Sequence, residues 1–302
     1  MKFMNFSRKD QIATVHIGCE LEDGCLDVTQ AIGGGLLKFP RAATTLEEAI
    51  QVADGLNLLR DQVRELKTSS MGIQGYLFKP ANAIYHAPVT HPEKIIGIGL
   101  NYRDHAAETK LELPKRPLMF GMFANAIIGP EQPIVIPPVS KQVDYEAELG
   151  VIIGRRGRNI SAGDALQYVA GYTIINDVSA RDLQFADGQW LRGKSFDTFL
   201  PMGPCLVTPE TLRDGDGLAI TLRLNGQTLQ DSNTSHMVFK VPELISCISE
   251  VMTLQPGDVI STGTPAGVGF TRNPPVFMKH GDVVEIEIEG ISVLRNPVID
   301  FQ

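Results

Sequence analysis

From Lys94 onward the chain is a succession of short apolar runs broken by Gly and Pro, and this spacing narrows the available folds more than any other feature. Ile95–Gly99, Ile134–Ile136, Tyr145–Ile153, Tyr172–Asn176, Leu218–Leu224, Val259–Ser261, Val283–Ile288 and Ile291–Leu294 each read as a strand. Asn225-Gly226, between Leu222-Arg223-Leu224 and Gln227-Thr228-Leu229, is a two-residue hairpin signal, because both turn positions need a positive φ. Strands do not alternate with helices, and the sequence holds no Gly-x-Gly-x-x-Gly or Walker loop, which argues against dinucleotide-binding and P-loop folds. One clear helix starts at Pro242, with Leu244, Ile248 and Val251 along one side. The pattern predicts a mainly β, α+β protein with a closed or sandwich-like sheet and few helices.

The first part of the chain has another character. Residues 11–30 read as a β-hairpin, with Ile12, Val15 and Ile17 running into a turn at Glu22-Asp23-Gly24 and Leu26 and Val28 returning. Thr45 and Glu48 have the spacing of a capping box. Leu46, Ile50, Ala53, Leu59, Val63 and Leu66 then recur at helical spacing. Residues 67–92 lack a strong period, so the reading divides the chain into a small α+β domain over 1–85 and a main domain over 90–302.

Composition excludes some partners. Against 35 Asp and Glu stand 27 Lys and Arg, a net charge of −8 that leaves no excess cation for nucleic-acid phosphates or anionic membranes. Met1–Asp10 carries no apolar run of signal-peptide length, and no stretch approaches the roughly 18 apolar residues of a membrane span. Cys19, Cys25, Cys205 and Cys247 fit neither a zinc knuckle nor a redox pair, and are expected to be reduced thiols. These features predict a cytoplasmic protein.

The segment with most chemical content is Asp144-Tyr145-Glu146-Ala147-Glu148-Leu149-Gly150. On a strand, Glu146 and Glu148 share a face, where two carboxylates repel unless a cation or proton lies between them. The apolar run from Leu149 to Ile153 marks a buried strand, in which unpaired carboxylates are costly. A second apolar run, Tyr172–Asn176, ends in Asp177. Three carboxylates at strand ends form a hard-oxygen set suited to Mg²⁺, Mn²⁺ or Ca²⁺.

Other segments add candidates. His105 and Glu108 lie three apart, so on a helix the carboxylate can orient the imidazole as a general base. Arg181 and Gln184 are one helical turn apart and suit a carboxylate and a carbonyl, and Lys194 offers a charge for a developing enolate. The turn-rich stretch Ser261–Gly269, which includes Thr264, offers backbone N–H groups and hydroxyls to a carboxylate.

In this order Asn101-Tyr102-x-x-His105-x-x-Glu108, Glu146-x-Glu148-Leu149-Gly150, Asn176-Asp177-Val178-Ser179-Ala180-Arg181-Asp182-x-Gln184, Gly193-Lys194-Ser195-Phe196-Asp197 and Thr262-Gly263-Thr264-Pro265 resemble the fumarylacetoacetate hydrolase family across roughly residues 90–298. The resemblance implies a mixed β-roll or β-sandwich catalytic domain, with Mg²⁺ or Mn²⁺ on Glu146, Glu148 and Asp177. It implies that His105 and Glu108 activate water on a segment that closes over substrate. Arg181, Gln184, Lys194 and Thr264 match positions that bind substrate or stabilise its enolate, and homodimers are expected. One departure is Met122, which stands where many relatives carry Lys in a Phe-x-Lys stretch before the Gly-Pro turn. A Met there suggests a roomier, less charged pocket and disfavours a compact dianion such as oxaloacetate.

The function expected first is hydrolysis of a carbon–carbon bond in a 2,4-dioxo acid of the acylpyruvate or fumarylpyruvate kind. The alternative uses the same site for isomerisation or decarboxylation of a 2-oxo or 2-hydroxydienoate diacid, oxaloacetate included. A third reading is a binding protein that keeps the fold without the chemistry.

Overall fold

The computed structural model describes residues 1–22, 24–69, 72–186 and 188–302, so Asp23 of the predicted turn lies outside the described residues. Among the described residues the strands form a twelve-stranded sheet and a five-stranded sheet. A two-stranded ribbon pairs Val143–Asp144 with Ser179–Ala180. The fold is the mixed, mainly β arrangement expected from the strand spacing.

Ile95–Gly99, Ile134–Ile136, Val259–Ser261 and Val283–Ile288 have the predicted bounds. The last strand, Ser292–Asp300, outruns its apolar core because the alternation of buried positions continues through Leu294, Asn296 and Val298. Asn225 and Gly226 turn with φ of 53° and 79° between Ala219–Leu224 and Gln227–Asn233. Strands absent from the sequence reading include Lys2–Arg8, Leu118–Met122 and Leu200–Val207, the last with two Pro and one Gly breaking its apolar run. Val207 pairs with Tyr172 on one side and with Lys2 on the other. The N-terminal strands Lys2–Arg8, Gln11–Leu21 and Gly24–Asp27 therefore extend the same sheet.

The helix predicted from Leu46 to Leu66 is in fact two, Leu46–Ile50 and Gly55–Ser69. The Thr45–Glu48 capping box is present, but Asp54 turns out of the helix with φ of 55°. A Cβ on Gly55 would lie 2.2 Å from the Ala49 carbonyl, so the chain restarts there only on glycine. Val28 opens a short helix capped by Asp27 rather than closing the hairpin.

Two central strands place the site. Every residue of Ala147–Ile153 and of Val169–Asn176 is buried, and the two pair antiparallel with Ala147 opposite Asn176. Strands covered on both faces read as continuous apolar runs, and a carboxylate at their ends is enclosed. All four cysteines are unpaired, and no helix among the described residues is long and apolar enough to cross a membrane.

Candidate active site

Glu146 immediately precedes one central strand and Asp177 immediately follows the other, so the register brings them together, and the Asp177 amide donates to the Glu146 carbonyl at 3.0 Å. With Glu148 they each offer a carboxylate oxygen, all within 4.8 Å of one another, and all three are buried. Glu148 Oε2 accepts from Ser261 Oγ at 2.6 Å and from the Gly263 amide at 2.8 Å. Lys194, at the end of the short helix Leu191–Lys194, donates from Nζ to Glu146 Oε2 at 2.5 Å and to Asp177 Oδ2 at 2.7 Å. Arg181, opening the turn Arg181–Gln184, donates to Glu146 Oε1 at 2.7 Å, to Asp144 Oδ2 at 2.9 Å and to Gln184 Oε1 at 2.9 Å.

The buried charges do not balance. Four carboxylates (Asp144, Glu146, Glu148, Asp177) face two cations (Arg181, Lys194), an excess of two negative charges if all are ionised. Burial raises the Asp177 carboxyl to about 6 despite Lys194 beside it. It drives Glu148 well above the carboxylate range, with the charges of Asp177 and Glu146 pushing the same way. For Glu146 burial also pushes upward, but Lys194 and Arg181 outweigh it and hold the carboxyl at about 2. Asp177 Oδ1 is buried without a hydrogen-bond partner among the described residues. A set of carboxylates short of two positive charges, with one oxygen unsatisfied, fits a hard divalent cation.

Above this floor lies the helix Arg103–Thr109, which follows directly on the Ile95–Gly99 strand. His105 is only 7% exposed and lines the cavity, its Nδ1 3.4 Å from Glu108 Oε2. The two Glu108 oxygens accept from the Gly267 amide at 3.1 and 3.2 Å. Burial pushes the Glu108 carboxyl upward, but hydrogen bonds from His105, Thr271 and Gly267 outweigh it and leave it below its usual value. Asp104 on the same helix accepts from Ser232 Oγ at 2.6 Å.

Floor and helix enclose a cavity of about 70 Å³, lined among others by His105, Glu146, Glu148, Asp177 and Lys194. Arg181, Gln184 and Thr264 line it too, although protein partners already engage their polar groups. The Thr264 hydroxyl donates to the Ala147 carbonyl at 3.0 Å and accepts from Gln230 at 2.8 Å. The backbone of Ser261–Gly269 grips the carboxylates of Glu148 and Glu108. Met122 is 5% exposed and packs in the core opposite Ile95. It does not line the cavity, whereas Phe120, two residues earlier, does. The pocket thus takes its character from Phe120 rather than from Met122.

Asp144 escaped the sequence reading. It accepts from Arg181 and from the amides of Gly269 at 2.7 Å and Phe270 at 3.1 Å, tying the Arg181 turn to the loop that borders the cavity. The period of two that groups Glu146 with Glu148 applies to Asp144 as well, and could have singled it out.

The family model described as fumarylacetoacetate (FAA) hydrolase C-terminal matches residues 94–299. The chain is 44% identical over 281 residues to "Oxaloacetate tautomerase Fahd2a, mitochondrial" of Rattus norvegicus, covering 92% of this chain and 88% of that protein. It is 42% identical over 305 residues to "Oxaloacetate tautomerase fahd2, mitochondrial" of Xenopus laevis, covering 99% and 90%. The solved structure of 5-carboxymethyl-2-hydroxymuconate delta-isomerase from Mycobacterium smegmatis superposes with a TM-score of 0.75 at 34% identity, over 100% of both chains. These relatives overturn the cytoplasmic expectation, since both tautomerases are mitochondrial. Reduced thiols are compatible with more than one compartment, so the cysteine pattern could not single out the cytoplasm. With the match running through both carboxylate-bearing strands, the His105 helix and Lys194, the chain is an enzyme of the fumarylacetoacetate hydrolase family.

Proposed function

We propose that the protein is a divalent-metal-dependent isomerase that interconverts the keto and enol forms of a small 2-oxo acid, with oxaloacetate as the first substrate to test. The observation that carries this reading is the floor itself, in which three mutually close buried carboxylates lie against one ammonium group. The names of the tautomerase and isomerase relatives favour isomerisation over the hydrolysis expected first.

Glu146, Glu148 and Asp177 would hold Mg²⁺ or Mn²⁺. The bound cation supplies a Lewis acid for the 2-oxo carboxylate and its enolate. Lys194 adds a fixed positive charge at the edge of the same floor, where low polarity strengthens its effect on an enolate oxygen. His105, with Nδ1 directed to Glu108, keeps Nε2 for moving a proton at C3 of the substrate. Arg181 orients Glu146 and Gln184. Thr264 fixes the wall beside Ala147. Enclosure by the helix keeps water from the enolate.

The second reading is hydrolytic cleavage of an acylpyruvate, favoured by the His105–Glu108 pair, which suits activation of water equally well. The purified protein with Mn²⁺ or Mg²⁺ is assayed against both substrate kinds. Loss of the oxaloacetate enol signal without pyruvate release from acylpyruvates supports the isomerase, and pyruvate release with no enol conversion refutes it. Pairing of two copies through residues 90–302 belongs to the same proposal and is checked by sedimentation velocity.

A further inference from the structure

We infer that the mouth of the cavity receives an apolar tail on the 2-oxo acid, so that arylpyruvates are substrates alongside compact diacids. This rests on the isomerase reading above and adds the distal end of the substrate to it. Two aromatic pairs frame the mouth. Phe120 meets Trp190 edge to face with centroids 5.4 Å apart, and Phe185 meets Phe270 at 5.4 Å. One ring of each pair lies against a floor cation: Phe270 is 4.5 Å from the Arg181 guanidinium carbon and Phe120 is 5.4 Å from Lys194 Nζ. The aromatic wall therefore begins where the charged floor ends. Outward, Phe185 is 55% exposed and Leu111 53%, both lining the cavity.

The wall is built into the sheet. A Cβ on Gly97 would fall 2.3 Å from the Phe120 ring, and one on Gly99 would fall 2.1 Å from the Trp190 ring. These glycines are two apart on one strand and so clear the same face for the two rings. Charge points the same way. Among the described residues the only Lys and Arg lining the cavity are Lys194 and Arg181, both engaged by floor carboxylates, so the mouth presents rings rather than a cation to the far end of a substrate. The rings line the same cavity as the floor carboxylates, so a head group held on the floor carries its tail against them.

The chemistry needs no co-reactant. The C3–H bond breaks, its electron pair becomes the C2–C3 double bond, and the carbonyl oxygen takes up a proton. An aryl group on C3 conjugates with that double bond and favours the enol.

The test follows enol conversion of phenylpyruvate and of oxaloacetate by ultraviolet absorbance in the Mn²⁺-loaded protein, in Trp190→Ala and in Phe185→Ala. Calorimetry in parallel compares oxamate with its N-phenyl derivative oxanilate, which differ only by the ring. Phenylpyruvate is expected to turn over, its kcat/KM relative to oxaloacetate falling about 5- to 10-fold in each variant. Oxanilate should bind about tenfold tighter than oxamate, by an advantage that shrinks in both variants. Conversion of oxaloacetate but not phenylpyruvate, or an unchanged ratio in both variants, overturns the aryl-tail assignment and leaves the isomerase reading standing. Conversion of neither substrate with the oxanilate preference intact removes the isomerase reading and keeps the mouth as a tail-binding surface. Oxanilate binding no tighter than oxamate overturns the inference whatever the turnover.

Discussion

The floor of the site and the helix above it are held in opposite ways. The floor rests on two strands with no exposed residue, and its carboxylates are fixed by Arg181, Lys194, Ser261 and the Gly263 amide. The Arg103–Thr109 helix is seven residues long, ends at Lys110 in the left-handed region, and runs into exposed Leu111 and Leu113. Its contacts with the rest of the fold include Glu108 on Gly267, Asp104 on Ser232, Arg103 on the Met237 carbonyl and the buried Ala106. An isolated helix of this length is unstable, so its position depends on such contacts. On the proposed reading, cation binding falls to the strand-held part of the site and proton transfer to the short helix above it.

Removing a floor carboxylate should have the largest effect. Glu148→Ala or Asp177→Ala is expected to weaken Mn²⁺ binding more than about 100-fold, because the remaining carboxylates cannot complete a hard-cation site. As the floor carries excess negative charge, melting temperature without metal should not fall in Glu148→Gln. Calorimetric titration and thermal melting check both, and wild-type Mn²⁺ affinity in either alanine variant removes the floor as the cation site.

On the helix, His105→Ala should lower turnover by about 10²- to 10⁴-fold while Mn²⁺ affinity stays within about twofold. A variant losing metal and turnover together would show that helix and floor are not separate devices. Single-turnover kinetics beside a Mn²⁺ titration tells the two cases apart.

Met122→Lys probes the core beneath the wall. Burying an unpaired ammonium beside Ile95 is expected to cost about 2–4 kcal/mol, read as a lower melting temperature, with no change in substrate preference. A shifted preference at unaltered stability would return Met122 to the pocket.

The smallest effect concerns pH. Glu108 is held below its usual value by its hydrogen bonds, so its anchoring of the helix is present above the ordinary carboxylate range and is lost as pH falls through the lowered value. Protection of the Gly267 amide, corrected for intrinsic exchange, should persist through the ordinary carboxylate range and fade only at pH below it. Glu108→Gln should lack this dependence. Equal dependence in the variant would assign the anchor to another group.

Much of this was readable along the chain. Strand bounds such as Ile95–Gly99 and Val283–Ile288 follow from local periodicity, and the Asn225-Gly226 turn from the φ its residues tolerate. Glu146, Glu148 and Asp177 stood out because carboxylates beside apolar strands are costly without a counter-charge. The break at Asp54-Gly55 was hidden, since helical periodicity runs through it and the clash with Ala49 exists only once the turn has formed. Leu200–Val207 was hidden by its prolines, although it joins the N-terminal strands to the central sheet.

The sequence by itself determined the local elements and the kinds of group available to the site, because periodicity, turn chemistry and the cost of buried charge act over a few neighbouring residues. Only the tertiary structure decided which groups share the floor. Lys194 reaches Glu146 from 48 positions away, Arg181 is taken up by Asp144, and Phe120 and Trp190 meet over Gly97 and Gly99. Charge balance and pocket shape are sums over distant segments, so they become defined only when the sheet closes and brings those segments within a few ångströms.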